Sequence, residues 1–217
     1  MKLILLDIDN TLVDRDGAFL RYIEDLSKRF PEELCPPGII DTIIAADGGG
    51  RKNRATFCTD VVNRFPGLCM TPEQLWEDHK KLPDFVLPCA GLKEMLLRLG
   101  EQYRIACVSN GSGFMQRAKL SYAGLDGLFD GLFISGETGI AKPDTGIFQR
   151  ALTWAGASPH EVIMVGDHPD LDIIPAKSLG MKTVWVRQSL DFNENCTKAD
   201  YTICSIMELE RILTCMI

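Results

Sequence analysis

Two aspartates follow the first apolar segment of the chain, in the sequence Leu-Leu-Asp-Ile-Asp-Asn-Thr-Leu. Asp7 and Asp9 are two residues apart, and side chains with this spacing project from the same side of an extended chain. Two carboxylates held close together repel each other, so either one of them binds a proton or both share a cation. The pair therefore indicates acid/base chemistry or a metal site. A solvated strand end is the alternative that this pattern alone leaves open.

A second polar group ends another apolar segment, in the sequence Val-Ser-Asn-Gly. The hydroxyl of Ser109 and the backbone N–H groups of Asn110 and Gly111 are suited to binding phosphate oxygens. A helix that begins just after them would add partial positive charge at the same place. An ordinary strand-to-helix turn has a similar composition, so this motif is informative only together with the others.

Two further motifs complete the set. Lys142 precedes a proline, which can hold the lysine in a fixed direction at the start of a helix. Asp167 follows the apolar sequence Val-Ile-Met-Val-Gly, and Asp172 lies five residues further on. We expect Asp167 to enter the same crevice as Asp7, with Asp172 as a supporting carboxylate. Each motif is common in turns, but four of them at strand ends or helix starts indicate a single site.

Strands and helices alternate along the segments that carry these motifs. Short β-branched runs predict strands at 3–8, 104–109, 131–135, 162–166, 183–187 and 201–204. Apolar residues at helical spacing predict helices at 90–100, 113–123, 145–155, 170–179 and 206–215. This alternation is typical of an α/β fold with a doubly wound, parallel, Rossmann-like sheet, whose carboxyl edge is where ligands bind.

Residues 14–88 interrupt the alternation, because they contain helical patterns and no convincing strand. The predicted helices of this segment are 17–30, 37–46, 53–65 and 72–82. The last of them begins with the capping box Thr-Pro-Glu-Gln, which has proline at the first helical position. We therefore expect a helical domain of residues 17–85, inserted into a core formed by residues 1–16 and 86–217.

Composition limits the class of protein and its partners. The chain has 217 residues, of which 46% are hydrophobic and 24% charged, as in globular proteins. Its 23 basic and 30 acidic residues give a net charge of −7, which argues against a nucleic acid polymer as partner. The apolar runs are too short for a membrane span or a signal peptide, so we expect a cytoplasmic protein that binds no membrane. The oligomeric state stays open.

Eight cysteines are scattered along the chain without a C-x-x-C pair. Such a distribution is not typical of a zinc site or of a disulfide framework. We expect reduced thiols that fill space in the core.

The four motifs together resemble those of the haloacid dehalogenase superfamily, in a form with a helical C1-type cap inserted after the first strand. The resemblance covers residues 1–16 and 86–217, whereas the cap is similar only in position and helical character. It implies that Asp7 is a nucleophile and that Asp9 is the general acid/base, with Thr11 orienting Asp9.

The same resemblance implies the ligands of a metal and of a phosphate. Mg²⁺ is expected to be bound by Asp7, by the backbone carbonyl of Asp9 and by Asp167. The phosphate-binding residues are expected to be Ser109, Asn110, Gly111 and Lys142. Lys142 would also contact the nucleophile, and Asp172 matches the distal aspartate of the family's G-D-x-x-x-x-D form, with an orienting role.

The expected function is therefore Mg²⁺-dependent hydrolysis of a small phosphomonoester, such as a nucleotide or sugar phosphate, through an aspartyl-phosphate. Dehalogenases of this superfamily lack an aspartate two residues after the nucleophile, since a halide leaves without a proton, and Asp9 is present here. The Asp-Asn-Thr sequence is more similar to the phosphatase branch than to the sugar phosphomutases, whose loop usually reads Asp-Gly-Val. The alternatives are a mutase of the β-phosphoglucomutase type, a 2-haloacid dehalogenase and a non-catalytic binding protein.

A basic segment of the insertion is a candidate for substrate selection. Arg51, Lys52 and Arg54 follow three consecutive glycines at 48–50. A mobile loop with these cations could bind a second anionic group of the substrate. A solvated basic loop is the alternative.

Overall fold

The computed structural model describes residues 1–187 and 199–214. Cys196, Cys215 and the end of the predicted helix 206–215 lie outside these residues. The chain divides into two compact units, the first formed by Met1–Asp14 and Pro88–Ile217 and the second by Arg15–Leu87.

The first unit contains a parallel sheet of six strands. The strands are β1 (Leu3–Leu6), β2 (Arg104–Ser109), β3 (Gly131–Ile134), β4 (Val162–Gly166), β5 (Lys182–Val186) and β6 (Tyr201–Ile203). Their spatial order is β3-β2-β1-β4-β5-β6, with every neighbouring pair parallel. This order reverses direction next to β1, as in a doubly wound Rossmann-like sheet, so the predicted fold class is confirmed.

The helices of both units are α1 (Arg15–Arg29), α2 (Pro31–Leu34), α3 (Ile39–Asp47), α4 (Arg54–Arg64), α5 (Pro72–His79), α6 (Leu92–Gly100), α7 (Gly113–Tyr122), α8 (Ser135–Thr138), α9 (Gly146–Ala155), α10 (Ile174–Ser178) and α11 (Leu209–Thr214). Short 3₁₀ turns cover Pro66–Leu68, Leu82–Phe85, Pro159–Glu161 and Ile206–Glu208. Among residues 1–187 and 199–214, no helix combines the length and the apolar character needed to cross a membrane.

The central strand is buried on both faces. Leu3 and Leu5 of β1 belong to a cluster with Phe148 of α9 and Met164 of β4, and Ile4 and Leu6 are also fully buried. A strand that is covered on both sides needs an almost continuous apolar sequence, which is the pattern that predicted it.

Among the predicted helices, that of residues 170–179 differs most from the structure. The sequence predicts a helix over 170–179, but residues Pro169–Ile173 form a π-helical turn and only Ile174–Ser178 are α-helical. Pro175 has no N–H group to donate to the carbonyl four residues earlier, so it fits the first turn of α10 but not the interior of a helix that begins at residue 170. The wide turn contains Asp172, which is one of the predicted site residues.

The second unit consists of helices, and residues 15–87, all of them described, contain no strand. Its core includes Phe19 and Tyr22 of α1, Phe57 of α4 and His79 of α5, whose ring centroids lie 5.3–6.2 Å apart where they are in contact. The predicted capping box at Thr71 is present at the start of α5. Its side-chain hydrogen bonds satisfy backbone N–H groups that a helix start leaves without partners.

The cysteine expectation is confirmed in part. All six described cysteines are free thiols. Cys58 and Cys107 are buried, as expected, but the prediction of core-filling thiols is wrong for four that are exposed, namely Cys35, Cys69, Cys89 and Cys204. A small thiol is tolerated at a surface, so residue type alone does not determine its burial.

Candidate active site

The ends of three neighbouring strands define the site. Asp7 directly follows β1, Ser109 is the last residue of β2, and Asp167 directly follows β4. Because these strands are parallel and adjacent, their carboxyl ends lie at one edge of the sheet. The strand order reverses between β1 and β4, and the crevice at such a point is where doubly wound proteins bind ligands.

A buried lysine joins two of the predicted carboxylates. The Nζ atom of Lys142 lies 2.8 Å from Oδ1 of Asp7 and 2.6 Å from Oδ1 of Asp172. Burial raises the pKa of Asp7 to about 6, although the nearby Lys142 charge opposes this change. Burial lowers the pKa of Lys142, but Asp172 and Asp7 outweigh it and the pKa is raised, so the lysine stays charged.

Asp172 has both carboxylate oxygens engaged within the protein. Its Oδ1 accepts a hydrogen bond from Lys142, and its Oδ2 accepts one from the backbone N–H of His168 at 3.0 Å. A Cβ atom on Gly166 would overlap with the Asp172 side chain, so this close approach requires glycine at the end of β4. Asp172 is therefore a fully buried group that holds Lys142 in place.

Three carboxyl groups lie close enough together to hold a cation. Asp7, Asp167 and Asp172 each offer an oxygen, and these oxygens lie within 4.8 Å of one another. Burial and the charge of Asp7 raise the pKa of Asp167 to about 8. One lysine thus leaves negative charge in this group uncompensated, and a set of oxygen donors of this kind fits Mg²⁺. Asp9 is not among these three carboxylates.

The Asp9 carboxylate instead contacts helix α7. Lys119 Nζ lies 2.6 Å from Oδ1 and 2.8 Å from Oδ2 of Asp9, and Gln116 Nε2 donates to Oδ2 at 3.2 Å. The resemblance implied that Thr11 orients Asp9. The Thr11 hydroxyl is buried and makes no hydrogen bond among the described residues, so that contact is absent and the two α7 residues replace it.

The predicted phosphate-binding turn lies just before α7. Ser109 Oγ accepts a hydrogen bond from Gln116 Nε2 at 2.8 Å, and this bond leaves the hydroxyl proton available for an anion. Gly111 has a φ of 128°, a conformation that favours glycine. Its N–H donates to Ser135 Oγ at 2.9 Å, so a phosphate at this N–H would have to replace the serine.

Three residues of the site were not predicted from the sequence, namely Gln116, Lys119 and Ser135. A signal for the first two was present, because they lie on the buried face of α7 together with Met115 and Leu120. Polar residues within an otherwise apolar stripe of a helix are unusual unless they have buried partners.

The basic segment of the insertion is largely engaged within its own unit. Arg54 Nη1 pairs with the buried Asp47, which Arg15 also contacts. Lys52 pairs with Asp60, and Arg51 is exposed.

Several proteins similar to this chain are named as phosphatases. A segment of 86 residues, 40% of the chain, is 44% identical to the phosphoserine phosphatase of Thermus thermophilus and covers 34% of that protein. The N-acylneuraminate-9-phosphatase of Mus musculus is 25% identical over 98% of this chain and 94% of its own. The crystal structure of a HAD phosphatase from Thermococcus onnurineus has a TM-score of 0.73 at 25% identity, with 98% of each chain covered. The chain spans between 34% and 59% of the length of the first three curated relatives that it matches.

The fold and the site define a doubly wound α/β protein with an acidic, lysine-paired centre at the switch point of its sheet. The model of the haloacid dehalogenase-like hydrolase family matches residues 4–186, and the chain belongs to this family.

Proposed function

We propose that the protein is a Mg²⁺-dependent phosphatase that hydrolyses a small phosphomonoester through an aspartyl-phosphate on Asp7. The observation that carries the proposal is the buried Asp7 carboxylate beside Lys142, with a second aspartate, Asp9, two residues later. The relatives named as phosphatases of phosphoserine and of N-acylneuraminate 9-phosphate support the same class of substrate.

Asp7 and Asp167 are the residues that would hold Mg²⁺, together with the backbone carbonyl of Asp9. When bound, the ion supplies positive charge to the phosphoryl oxygens and favours the charged forms of both carboxylates. Asp172 would remain bound to Lys142 and support it, because both of its oxygens already accept hydrogen bonds.

In the first step, one oxygen of Asp7 attacks phosphorus while the bond to the substrate oxygen breaks. Lys142, held by Asp7 and Asp172, compensates charge on the phosphoryl group. The Ser109 hydroxyl donates to a second phosphoryl oxygen. Asp9 gives a proton to the leaving oxygen, a contribution typically worth about 10²–10⁴ in rate.

In the second step, water attacks the phosphorus of the aspartyl-phosphate and the bond to Asp7 breaks. Asp9, now ionised, takes the proton from this water, so both aspartates return to their starting state. A phosphomutase would instead transfer the phosphoryl group to a second sugar hydroxyl, and a dehalogenase would have no use for the proton of Asp9.

A phosphate-release assay over a panel of phosphomonoesters, with and without Mg²⁺, tests this proposal. We expect Mg²⁺-dependent release, with phosphoserine, N-acylneuraminate 9-phosphate, nucleotides and sugar phosphates in the panel. Acid-quenched enzyme should contain phosphate bound to Asp7.

The Asp7→Asn variant should have no turnover, because an amide is a poor nucleophile, while its melting transition stays cooperative. Asp170→Asn is the matched control, since Asp170 is an exposed aspartate three residues after Asp167. Equal turnover in the wild type and in Asp7→Asn, or full activity in a chelator, would contradict the proposal.

A further inference from the structure

Lys119 makes an unusually complete contact with Asp9. Its ammonium lies 2.6 Å and 2.8 Å from the two carboxylate oxygens, and the lysine is only 5% exposed. Such a bidentate contact restricts rotation about the last bond of the Asp9 side chain, which is otherwise a broad torsion. The orientation of this carboxyl group is therefore set by α7.

Gln116 extends the contact to the phosphate-binding turn. Its Oε1 accepts a hydrogen bond from Lys119 at 2.8 Å, and its Nε2 donates to Asp9 and to Ser109. Gln116 is 1% exposed, so these partners replace the water that its amide would otherwise bind. One helix face thereby connects the Asp9 carboxylate with the Ser109 hydroxyl.

Burying these two residues is costly for stability. An ammonium and an amide at positions that face the core must be desolvated, and apolar side chains of similar size are often at least as stable there. Their buried polar contacts, at Asp9 and Ser109, both involve residues of the proposed reaction. A role in that reaction accounts for polar residues at positions that stability alone would fill with apolar ones.

We propose that Lys119 and Gln116 are positioning residues that hold the Asp9 carboxyl group in the orientation from which it exchanges protons with the leaving oxygen and with water. This inference rests on the proposed function. In the first step the phosphorus–oxygen bond to the alcohol breaks, and the electron pair stays on the leaving oxygen. This oxygen takes a proton that Asp9 has accepted from water beforehand, and the protonated carboxyl group keeps an oxygen that accepts from Lys119. In the second step the water that attacks phosphorus gives its proton to Asp9.

The leaving group of the substrate separates this role from a purely structural one. An alkoxide leaves poorly unless it is protonated, whereas p-nitrophenolate is stable and leaves without a proton. The value of kcat/KM reports the steps up to the departure of the alcohol. A misplaced Asp9 should therefore lower kcat/KM for an alkyl phosphate much more than for p-nitrophenyl phosphate.

The test compares Lys119→Met with the wild type on p-nitrophenyl phosphate and on the best alkyl phosphomonoester of the panel. Methionine keeps the length and removes the charge. We expect kcat/KM for the alkyl phosphate to fall about 30- to 100-fold, within the range of acid/base contributions, and that for p-nitrophenyl phosphate to change less than about threefold. In Lys119→Met, the misplaced Asp9 should also slow hydrolysis of the aspartyl-phosphate. With p-nitrophenyl phosphate, this variant should therefore release a burst of p-nitrophenolate equal in amount to the enzyme present.

Lys119→Arg should recover part of the alkyl phosphate activity, since a guanidinium also binds both oxygens of a carboxylate. Gln116→Met should also lower kcat/KM more for the alkyl phosphate than for p-nitrophenyl phosphate, but by a smaller factor than Lys119→Met. Arg117→Met is the matched control, because Arg117 is on the same helix but pairs with Glu137 on the surface. The kcat/KM of Arg117→Met should equal that of the wild type for both substrates.

Two results would overturn the inference. If kcat/KM of folded Lys119→Met and Gln116→Met falls by the same factor for both substrates, or stays unchanged for both, Lys119 and Gln116 do not act through Asp9. If the wild type releases no phosphate from either substrate with Mg²⁺ present, the proposed function fails and the inference fails with it.

Discussion

The side-chain amide of Asn110 is hydrogen-bonded at both ends to the backbone of Lys142. Its Oδ1 accepts from the Lys142 N–H at 2.8 Å, and its Nδ2 donates to the Lys142 carbonyl at 2.9 Å. The two residues are 32 positions apart in the chain. The motif that was expected to bind phosphate through its backbone thus also holds the lysine that contacts Asp7.

Asn110→Ala should therefore reduce activity through Lys142. It removes two hydrogen bonds, each worth about 1 kcal/mol, and frees the backbone that positions the ammonium. We expect kcat to fall at least about tenfold, since misplacing a charged group costs transition-state stabilisation. Steady-state kinetics on the best substrate of the panel would measure this fall in kcat. Asn53→Ala, which removes only a helix cap in the second unit, should lower stability by about 1 kcal/mol and leave kcat unchanged.

The pH dependence of stability should report the acidic group. Without Mg²⁺ the pKa of Asp7 is raised from 3.8 to about 6 and that of Asp167 from 3.8 to about 8. A carboxyl group with a raised pKa in the folded state contributes stability that is fully present below pH 3.8 and is lost as the pH rises through its folded value. Mg²⁺ competes with these protons, so it should raise the melting temperature more at pH 8 than at pH 5.

Thermal melts in EDTA and in Mg²⁺ would show this difference. Asp167→Asn should melt at least about 2 °C above the wild type at pH 8 in EDTA, because it removes a buried charge, and should lose most of the response to Mg²⁺. Asp170→Asn, at an exposed position, should behave as the wild type. An equal Mg²⁺ response in the Asp167 variant would argue against this carboxylate as a ligand.

The buried ion pairs of Asp47 should contribute strongly to the stability of the second unit. Asp47 is fully buried, and its carboxylate contacts Arg15, Arg54 and the backbone N–H of Gly50. Breaking a buried pair by removing one partner typically costs about 3–5 kcal/mol, since the other charges stay uncompensated. We expect Asp47→Ala to lower the free energy of unfolding by this amount in denaturant titrations.

Asp60→Ala is the control for Asp47→Ala. Asp60 pairs with Lys52 at the surface, where its side chain is 50% exposed. Exposed ion pairs contribute about 0–1 kcal/mol, so this variant should unfold almost like the wild type. If the free energy of unfolding falls equally in Asp47→Ala and Asp60→Ala, the buried ion pairs of Asp47 do not stabilise the unit more than an exposed pair does.

Arg51 is the member of the basic segment that we propose for substrate selection, because Lys52 and Arg54 are already paired with Asp60 and Asp47. Arg51→Ala should raise KM about three- to tenfold for substrates that carry a second anionic group, the loss of one charge contact being worth about 1 kcal/mol. Substrates with a neutral remainder should keep their KM. Lys52→Ala is the matched control, and unchanged KM values for both substrate types in Arg51→Ala would favour a solvated loop.

Several features of the molecule were predictable because they depend on local sequence. The apolar run at the start of the chain predicted β1, although the strand ends at Leu6 and not at the predicted residue 8, since a carboxylate cannot replace a leucine in the centre of a buried sheet. The same reasoning located the ends of β2 and β4, and with them Ser109 and Asp167. The helical character of residues 15–87 also follows from short-range periodicity and capping.

The errors arose where a partner lies far away in the chain. Thr11 is close to Asp9 in sequence, yet the Asp9 carboxylate is bound by Lys119, which is 110 residues away. At Pro169–Ile173 the chain forms a π-helical turn that brings Asp172 close to Gly166, and a periodic apolar pattern does not contain this approach. Pro175, in contrast, is a local signal against a regular helix over 170–179.

The sequence by itself therefore determined the fold class, the helical character of residues 15–87 and the ends of β2 and β4, because apolar periodicity and turn residues act over a few positions. Only the tertiary structure decided which cation holds which carboxylate: Lys142 with Asp7 and Asp172, and Lys119 with Asp9. These pairs form because packing brings distant segments within about 3 Å of each other and buries both lysines, for which the loss of a partner would be costly.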